Sequence, residues 1–423
     1  MYSWETIMNS VQPIFDKMKD ADHTHSNDTV SRRNVLKAGC SAAAGIALSS
    51  NMIPEKASAA QSPDNTRPAE WRNRQPGMAY RRLGRTGYMV SEIVMGGNTI
   101  SPDNNKHVEM AIDRGLNYLD TSPAYGKSEV GYGELLKNSS LREKVFVNSK
   151  VSIFDSNRNK FYWKLFQSLP ESEQKKIQDE IDEMIARRGI KESTYMGRFG
   201  TWQHTEIQGA YHSNVMEKYY GDRLDRRKEY YSRIIDSAEE SLKRLKTDYL
   251  DLYMCPHGAN SPEELLIPEI YEALEKLKQD GKIRAFGLSA HTDPASVLYT
   301  AINTGFYDAV MIAYNIVNGD FCMSAVRAAY EHDVGVIVMK GARPVYPGRE
   351  NVWVPESRLD KLNHIIPGDM KIPMKAYLWV LQNPNITCVN CEMITADHVR
   401  DNLTLPGKKV DLVPLEDQSK FTY

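Results

Sequence analysis

The sequence predicts an α/β protein built as a (β/α)8 barrel, and three observations predict it. Eight short apolar runs succeed one another between residues 92 and 389. Most are continuous rather than alternating, the pattern of parallel strands buried on both faces. The intervals between them carry helical periodicity, as strand–helix alternation requires. Finally, an acid, a phenol, an ammonium and an imidazole close successive runs, at the strand ends where such barrels keep their chemistry.

In chain order the expected strands are Glu92–Gly96, Asn117–Thr121, Val145–Lys150, Tyr249–Cys255, Ile283–Ser289, Ala309–Tyr314, Gly335–Lys340 and Ile386–Val389. Before the fourth, Ile235, Ala238, Leu242 and Leu245 fall on one helical face. After it, Ser261-Pro262-Glu263-Glu264 reads as an N-cap, an N1 proline and a capping-box glutamate. That helix would carry Ile270, Leu274 and Leu277 on one side and close at Gly281.

Composition bounds the function. Lys and Arg total 53 against 55 Asp and Glu, a net charge of −2, so the basic surplus that phosphate backbones demand is missing and no nucleic-acid partner is expected. Five cysteines are too few to staple 423 residues. Cys388 and Cys391 form one CxxC without a second, HExxH is absent, and no metal is expected.

The first 60 residues stand apart. Ser31-Arg32-Arg33-Asn34-Val35-Leu36-Lys37 precedes a weakly apolar stretch from Ala38 to Ile53, and Ala57-Ser58-Ala59 offers small residues where a signal peptidase cuts. The stretch is too short and too weakly apolar to remain as a membrane anchor. The arrangement resembles a twin-arginine export signal, which implies the twin-arginine machinery as a partner and a periplasmic or secreted destination. Residues 61–78 read as a linker and 79–423 as the barrel.

The strand ends hold the chemistry. Asp120-Thr121-Ser122-Pro123-Ala124-Tyr125-Gly126 closes the second run, Asn148-Ser149-Lys150 the third, and Cys255-Pro256-His257-Gly258 follows the fourth. A phenol beside an ammonium can give a proton to an oxygen on which negative charge develops. A tyrosine, with a reference pKa of about 10, needs a nearby cation to act there. Lys150 supplies one and Asp120 can hold it.

Taken together these residues resemble the aldo-keto reductase family. The entry Tyr80-Arg81-Arg82-Leu83-Gly84-Arg85-Thr86-Gly87 with Val90-Ser91 matches that family's opening hairpin. Leu242–Tyr253, Ile283–Ser289 and Ala313-Tyr314-Asn315 match its fourth, fifth and sixth strands. The resemblance implies Tyr125 as general acid/base, Lys150 as modulator of its pKa, Asp120 as the partner of Lys150, and His257 as the group that orients the carbonyl. It also implies a nicotinamide cofactor, NADP with NAD possible, bound by Ser289, Tyr314, Asn315, Met339, Lys340, His398, Asp401 and Asn402. This chain departs from the family at several points. His257 lies six residues after Asp251 where five are usual, and Met311 occupies the place of a glutamine that commonly holds the nicotinamide amide.

Between the third and fourth strands about 70 residues are added, from 155 to 225, and ten of them are aromatic. Glu171–Arg188 is expected as a polar surface helix and Gly197–Gly209 as an irregular loop. A segment attached there leaves from the catalytic rim, so Trp202 and His204 are candidate substrate contacts, suited to a sugar by stacking and hydrogen bonding. The expected activity is oxidoreduction of a small or sugar-like carbonyl or alcohol. Redox-neutral isomerisation or lyase chemistry on a retained cofactor and a non-enzymatic ligand-binding barrel are the alternatives.

Overall fold

The computed structural model of the chain describes residues 67–188, 201–346 and 354–412; the expected export segment, residues 1–60, lies outside them. Eight parallel strands close into a barrel: β1 (Ile93–Gly96), β2 (Tyr118–Asp120), β3 (Phe146–Lys150), β4 (Leu250–Met254), β5 (Ile283–Ala290), β6 (Ala309–Ala313), β7 (Gly335–Met339) and β8 (Cys388–Cys391). Each pairs with the next and β8 returns to β1, so the barrel sheet itself has no free edge. Every strand falls within two residues of its expected position.

The strand period of two divides these residues between lumen and outer face. Val94, Tyr118, Phe146, Leu252, Met311 and Ile337 point inward and share one buried cluster. Burying each of the aliphatic, methionine and phenylalanine side chains among them stabilises the fold by roughly 1.5–3 kcal/mol. The alternate residues meet the surrounding helices. Cys388 faces the lumen, and the buried Cys391 lies three positions on, beyond the parity that would put both thiols on one face; both are free thiols.

The N-terminal mouth is plugged by the chain that precedes β1. Tyr80–Arg82 pairs antiparallel with Tyr88–Ser91, and Leu83, Tyr88 and Val90 complete the lumen cluster from below. At Gly84 (φ 47°) a Cβ would lie 2.2 Å from the backbone nitrogen of Gly335, so only glycine lets the hairpin approach β7. Part of the expected linker belongs to this plug. Glu70–Trp71 pairs in parallel with Tyr88–Met89, and Arg72 bonds the fully buried Asp251 at 2.9 Å.

The inserted segment is a helical layer. The chain leaves β3 through a wide turn at Phe154–Arg158 and forms helices Asn159–Gln167, Glu171–Arg187 and Thr201–Tyr220. The second presents Ile177, Ile181, Met184 and Ile185 inward, a narrow apolar stripe on an otherwise polar helix. The third corrects the expected loop: from Thr201 the chain is helical, with Ile207, Tyr211 and Val215 buried. The expected capping box after β4 differs in form: Pro262–Leu266 is a short 3-10 turn and the helix begins anew at Pro268, while Glu264 accepts the Asn260 N–H at 2.7 Å and Glu263 and Glu264 pair with Arg188 and Arg158 of the insertion.

Candidate active site

At the C-terminal rim, β2, β3 and the segment after β4 bring Asp120, Tyr125, Lys150 and His257 together. Asp120 and Lys150 end their strands facing the lumen and are fully buried. Lys150 Nζ donates to Asp120 Oδ1 at 2.5 Å, to the Thr121 carbonyl at 2.9 Å and to the Tyr125 hydroxyl at 3.3 Å. The ammonium also lies 4.7 Å from the centre of the Tyr125 ring.

Electrostatics follow from this placement. Burial opposes the Lys150 charge, but Asp120 and Tyr125 more than offset it and hold its pKa above the usual lysine value. Burial raises the Tyr125 phenol, and the Lys150 charge opposes that rise without cancelling it. At neutral pH the site therefore holds a charged Lys150 beside a protonated phenol, the state in which a phenol can give up a proton.

His257 reaches the site despite the longer spacing from Asp251. Its backbone N–H bonds the Val151 carbonyl at 2.8 Å, the Ser289 N–H bonds the Pro256 carbonyl at 3.1 Å, and its ring stands edge-on to Tyr125 at 5.8 Å. Ser122 Oγ and Ser152 Oγ lie 3.3 and 3.2 Å from its Nδ1. Burial, then the Lys150 charge, push its pKa down to about 3, so it is neutral. A neutral imidazole held at Nδ1 offers its other nitrogen to a carbonyl oxygen.

The expected cofactor residues divide into those that face the same rim and those that do not. Ser289 ends β5 in the lumen, and its Oγ accepts the Gly258 N–H at 2.9 Å. Met339 ends β7 in the lumen cluster, and Lys340 follows it with φ 56°. Asn315 closes the turn after β6, its side chain accepting the Val317 N–H at 3.0 Å. Tyr314 has the opposite parity: its ring stacks on Trp379 at 5.4 Å and its hydroxyl accepts from Asn383 Nδ2, which turns it to the helix Ile372–Leu381 and away from the lumen. Beyond β8, His398, Asp401 and Asn402 lie on the helix Ala396–Asn402; Asn402 is buried, and Asp401 accepts from Lys371 at 2.6 Å. Trp202 and His204 occupy the first turn of the helix Thr201–Tyr220; their side chains lie outside the described residues.

Two residues near Asp120 escaped the sequence reading. Asn148 Nδ2 donates to Asp120 Oδ1 at 2.6 Å and Asn390 Nδ2 to Oδ2 at 2.8 Å. Asn148 is a polar lumen residue inside an expected strand, which was an available signal; Asn390 lies one residue past the expected end of the eighth strand.

Comparison with known proteins adds the following. The model of the "Aldo/keto reductase family" matches residues 92–192 and 212–342. The uncharacterized oxidoreductase YqkF of Bacillus subtilis is 26% identical over 219 residues, 50% of this chain and 49% of that protein. The chain thus spans about half the length of the first curated relatives it matches. An NADH-specific methylglyoxal reductase of Escherichia coli is 24% identical over 68% of this chain and 78% of its own. Among solved structures, an aldo-keto reductase of Klebsiella pneumoniae in complex with NADPH superposes with a TM-score of 0.51 at 18% identity, covering 81% of this chain and 94% of that one. At that identity the likeness is one of fold.

Proposed function

The chain belongs to the aldo/keto reductase family, and on that premise we propose that it is a nicotinamide-dependent oxidoreductase acting on the carbonyl or alcohol of a small or sugar-like substrate. The observation that carries the reading is the Lys150 ammonium set between the Asp120 carboxylate and the Tyr125 hydroxyl, with neutral His257 alongside. Tyr125 gives its proton to the developing alkoxide, Lys150 stabilises the phenolate left behind, and Asp120 keeps Lys150 charged and in place. His257 orients the oxygen by donating a hydrogen bond.

A flat, largely uncharged ring fits the other side of the rim. There the lumen-facing residues at the ends of β5, β6 and β7 are Ser289, Ala313 and Met339, small or apolar, with a hydroxyl on Ser289 for an amide. The nicotinamide supplies the hydride when bound. His398 and Asn402 would hold the adenosine end; NADP is preferred over NAD on the family resemblance, with exposed His398 standing where a cation often meets the 2′-phosphate. Purified protein incubated with NADPH or NADH and a panel of aldehydes, ketones and sugars should consume the reduced cofactor. Absence of turnover with every pair would sink the reading.

A second reading is favoured by how the insertion is fixed. Arg158 and Arg188 tie it to Glu264 and Glu263 in the segment that follows His257. A segment locked there can slow cofactor release, which suits an exported enzyme that loads its dinucleotide before transport and reuses it in redox-neutral chemistry. The Arg32-Arg33 segment supports export. A dinucleotide released on denaturing extensively dialysed protein would favour this reading, and its absence would remove it. N-terminal sequencing of protein from the native host should begin after Ala59 or Ala60; a start at Met1 would end the export proposal.

A further inference from the structure

Among the described residues three donors converge on the Asp120 carboxylate, and they divide unequally between its oxygens. Lys150 and Asn148 share Oδ1, at 2.5 and 2.6 Å, while Asn390 holds Oδ2 at 2.8 Å. An amide facing a carboxylate presents its NH2, since its oxygen would be repelled. Of the three bonds made by the Lys150 ammonium, the one to Tyr125 is the longest. It is the first to be lost if Nζ is drawn toward Asp120. A carboxylate with one oxygen unheld can rotate to offer both oxygens to the ammonium, and that draws Nζ inward.

Asn390 belongs to β8, which is separated from β2 by β1. Its reach to Asp120 depends on the intervening position, where Gly96 stands opposite Asp120. A Cβ on Gly96 would lie 2.7 Å from Asn390 Oδ1. The missing side chain on β1 is what lets an amide of β8 grip a carboxylate of β2.

We propose that Asn390 is a positioning residue of this site: by holding Oδ2 of Asp120 across the gap at Gly96, it keeps Oδ1 turned to Lys150 and leaves the ammonium within reach of the Tyr125 hydroxyl. The proposal rests on the reading of Tyr125 as proton donor. A purely space-filling role for Asn390 would be met by a leucine of similar size; the positioning role would not.

The test separates the proposal from that reading by using no substrate. Tyr125 is replaced by a fluorinated tyrosine, a stronger acid than the natural phenol, and its ionisation is followed by fluorine NMR. The groups facing its oxygen are Lys150 from β3, Asp120 from β2, Tyr132 from the helix Ser128–Leu136 and His257 after β4. In Asn390→Leu the midpoint should rise by about one pH unit, a tenfold loss of acidity. Asn390→Ala, which only removes atoms, should give the same shift should the leucine fail to fold. In enzyme with natural Tyr125, kcat for carbonyl reduction should fall about tenfold with KM for the carbonyl nearly unchanged. A folded variant with an unmoved fluorine titration overturns the proposal. A moved titration in a protein that reduces no carbonyl upholds it and counts against the catalytic reading alone.

Discussion

The work asked of Lys150 is both electrostatic and structural, and the two can be separated. Lys150 and Asp120 are fully buried and 2.5 Å apart. Removing one charge strands the other, which costs about 3–5 kcal/mol, whereas replacing both together costs far less. Lys150→Met should therefore lower stability to urea by that amount, and Asp120→Asn combined with Lys150→Met should recover most of it while activity stays lost. Full stability in the single variant would show that the pair is not buried as described. Tyr125→Phe removes a hydroxyl only, so kcat for carbonyl reduction should fall 10²- to 10⁴-fold, on the order of a general acid's contribution, with the melting curve unchanged. Much of this site was legible in the sequence, because acid and phenol, ammonium, and imidazole sit at or just beyond the ends of three successive strands. The amides of Asn148 and Asn390 were not, since their role depends on which strands become neighbours across the barrel. Tyr314 was legible by motif, but its parity turns it outward. That parity depends on the register of β6, which a short apolar run leaves open.

Elements were legible in proportion to how strongly burial patterned them. The eight strands are buried on both faces, so most read as largely apolar runs whose ends are marked by turn residues. The helix Thr201–Tyr220 mixes polar and aromatic residues along its length, with buried Tyr211, His212, Ser213 and Asn214 in succession, and without a clean apolar stripe its first half reads as a loop up to Gly209. Its partners explain the pattern. Arg158, 2% exposed, donates to Glu217 at 2.8 Å, to Asn214 at 2.6 Å and to Glu264 at 3.2 Å, so a polar hub replaces part of the apolar interface. Such a hub holds one geometry while complete and fails when one charge is missing. Arg158→Met should remove the buried cation shared by Glu217 and Glu264 and cost about 3–5 kcal/mol locally. Hydrogen exchange should then show the helices Asn159–Gln167 and Thr201–Tyr220 opening before the barrel strands. Loss of protection spread evenly over barrel and insertion would show that the hub does not anchor the layer as a unit.

For the molecule as a whole, the burial of neutral imidazoles sets a limit on the acid side. Burial, then the Arg158 charge, push His212 down to about 4, and burial with the Lys150 charge pushes His257 to about 3. Burial together with nearby cations takes His291 well below the usual histidine value. In the unfolded chain each takes a proton near pH 6.5. Between that pH and the folded values, the unfolded state binds more protons than the folded one, so stability must fall as pH falls. The sign is thus opposite to that of a histidine stabilised by a carboxylate. Each imidazole contributes up to about 1.4 kcal/mol per pH unit, so His212 and His257 together remove roughly 3 kcal/mol between pH 6.5 and 5, and His291 acts in the same direction. That is a sizeable part of the 5–15 kcal/mol by which typical folds are stable. Glu70 and Glu269, whose pKa values their arginine partners hold down against burial, add to the loss only below about pH 4.5. Melting temperature should be flat from pH 8 to 7 and decline steeply below 6.5. His212 isolates one share of the effect, because its ring packs between Trp163 at 5.1 Å and Phe166 at 4.9 Å, in the inserted layer. His212→Phe keeps an aromatic ring there and removes the titration. Its melting temperature should fall measurably less than that of wild type between pH 6.5 and 5, with turnover unaffected; an unchanged slope would mean that His212 is not buried neutral in the folded protein.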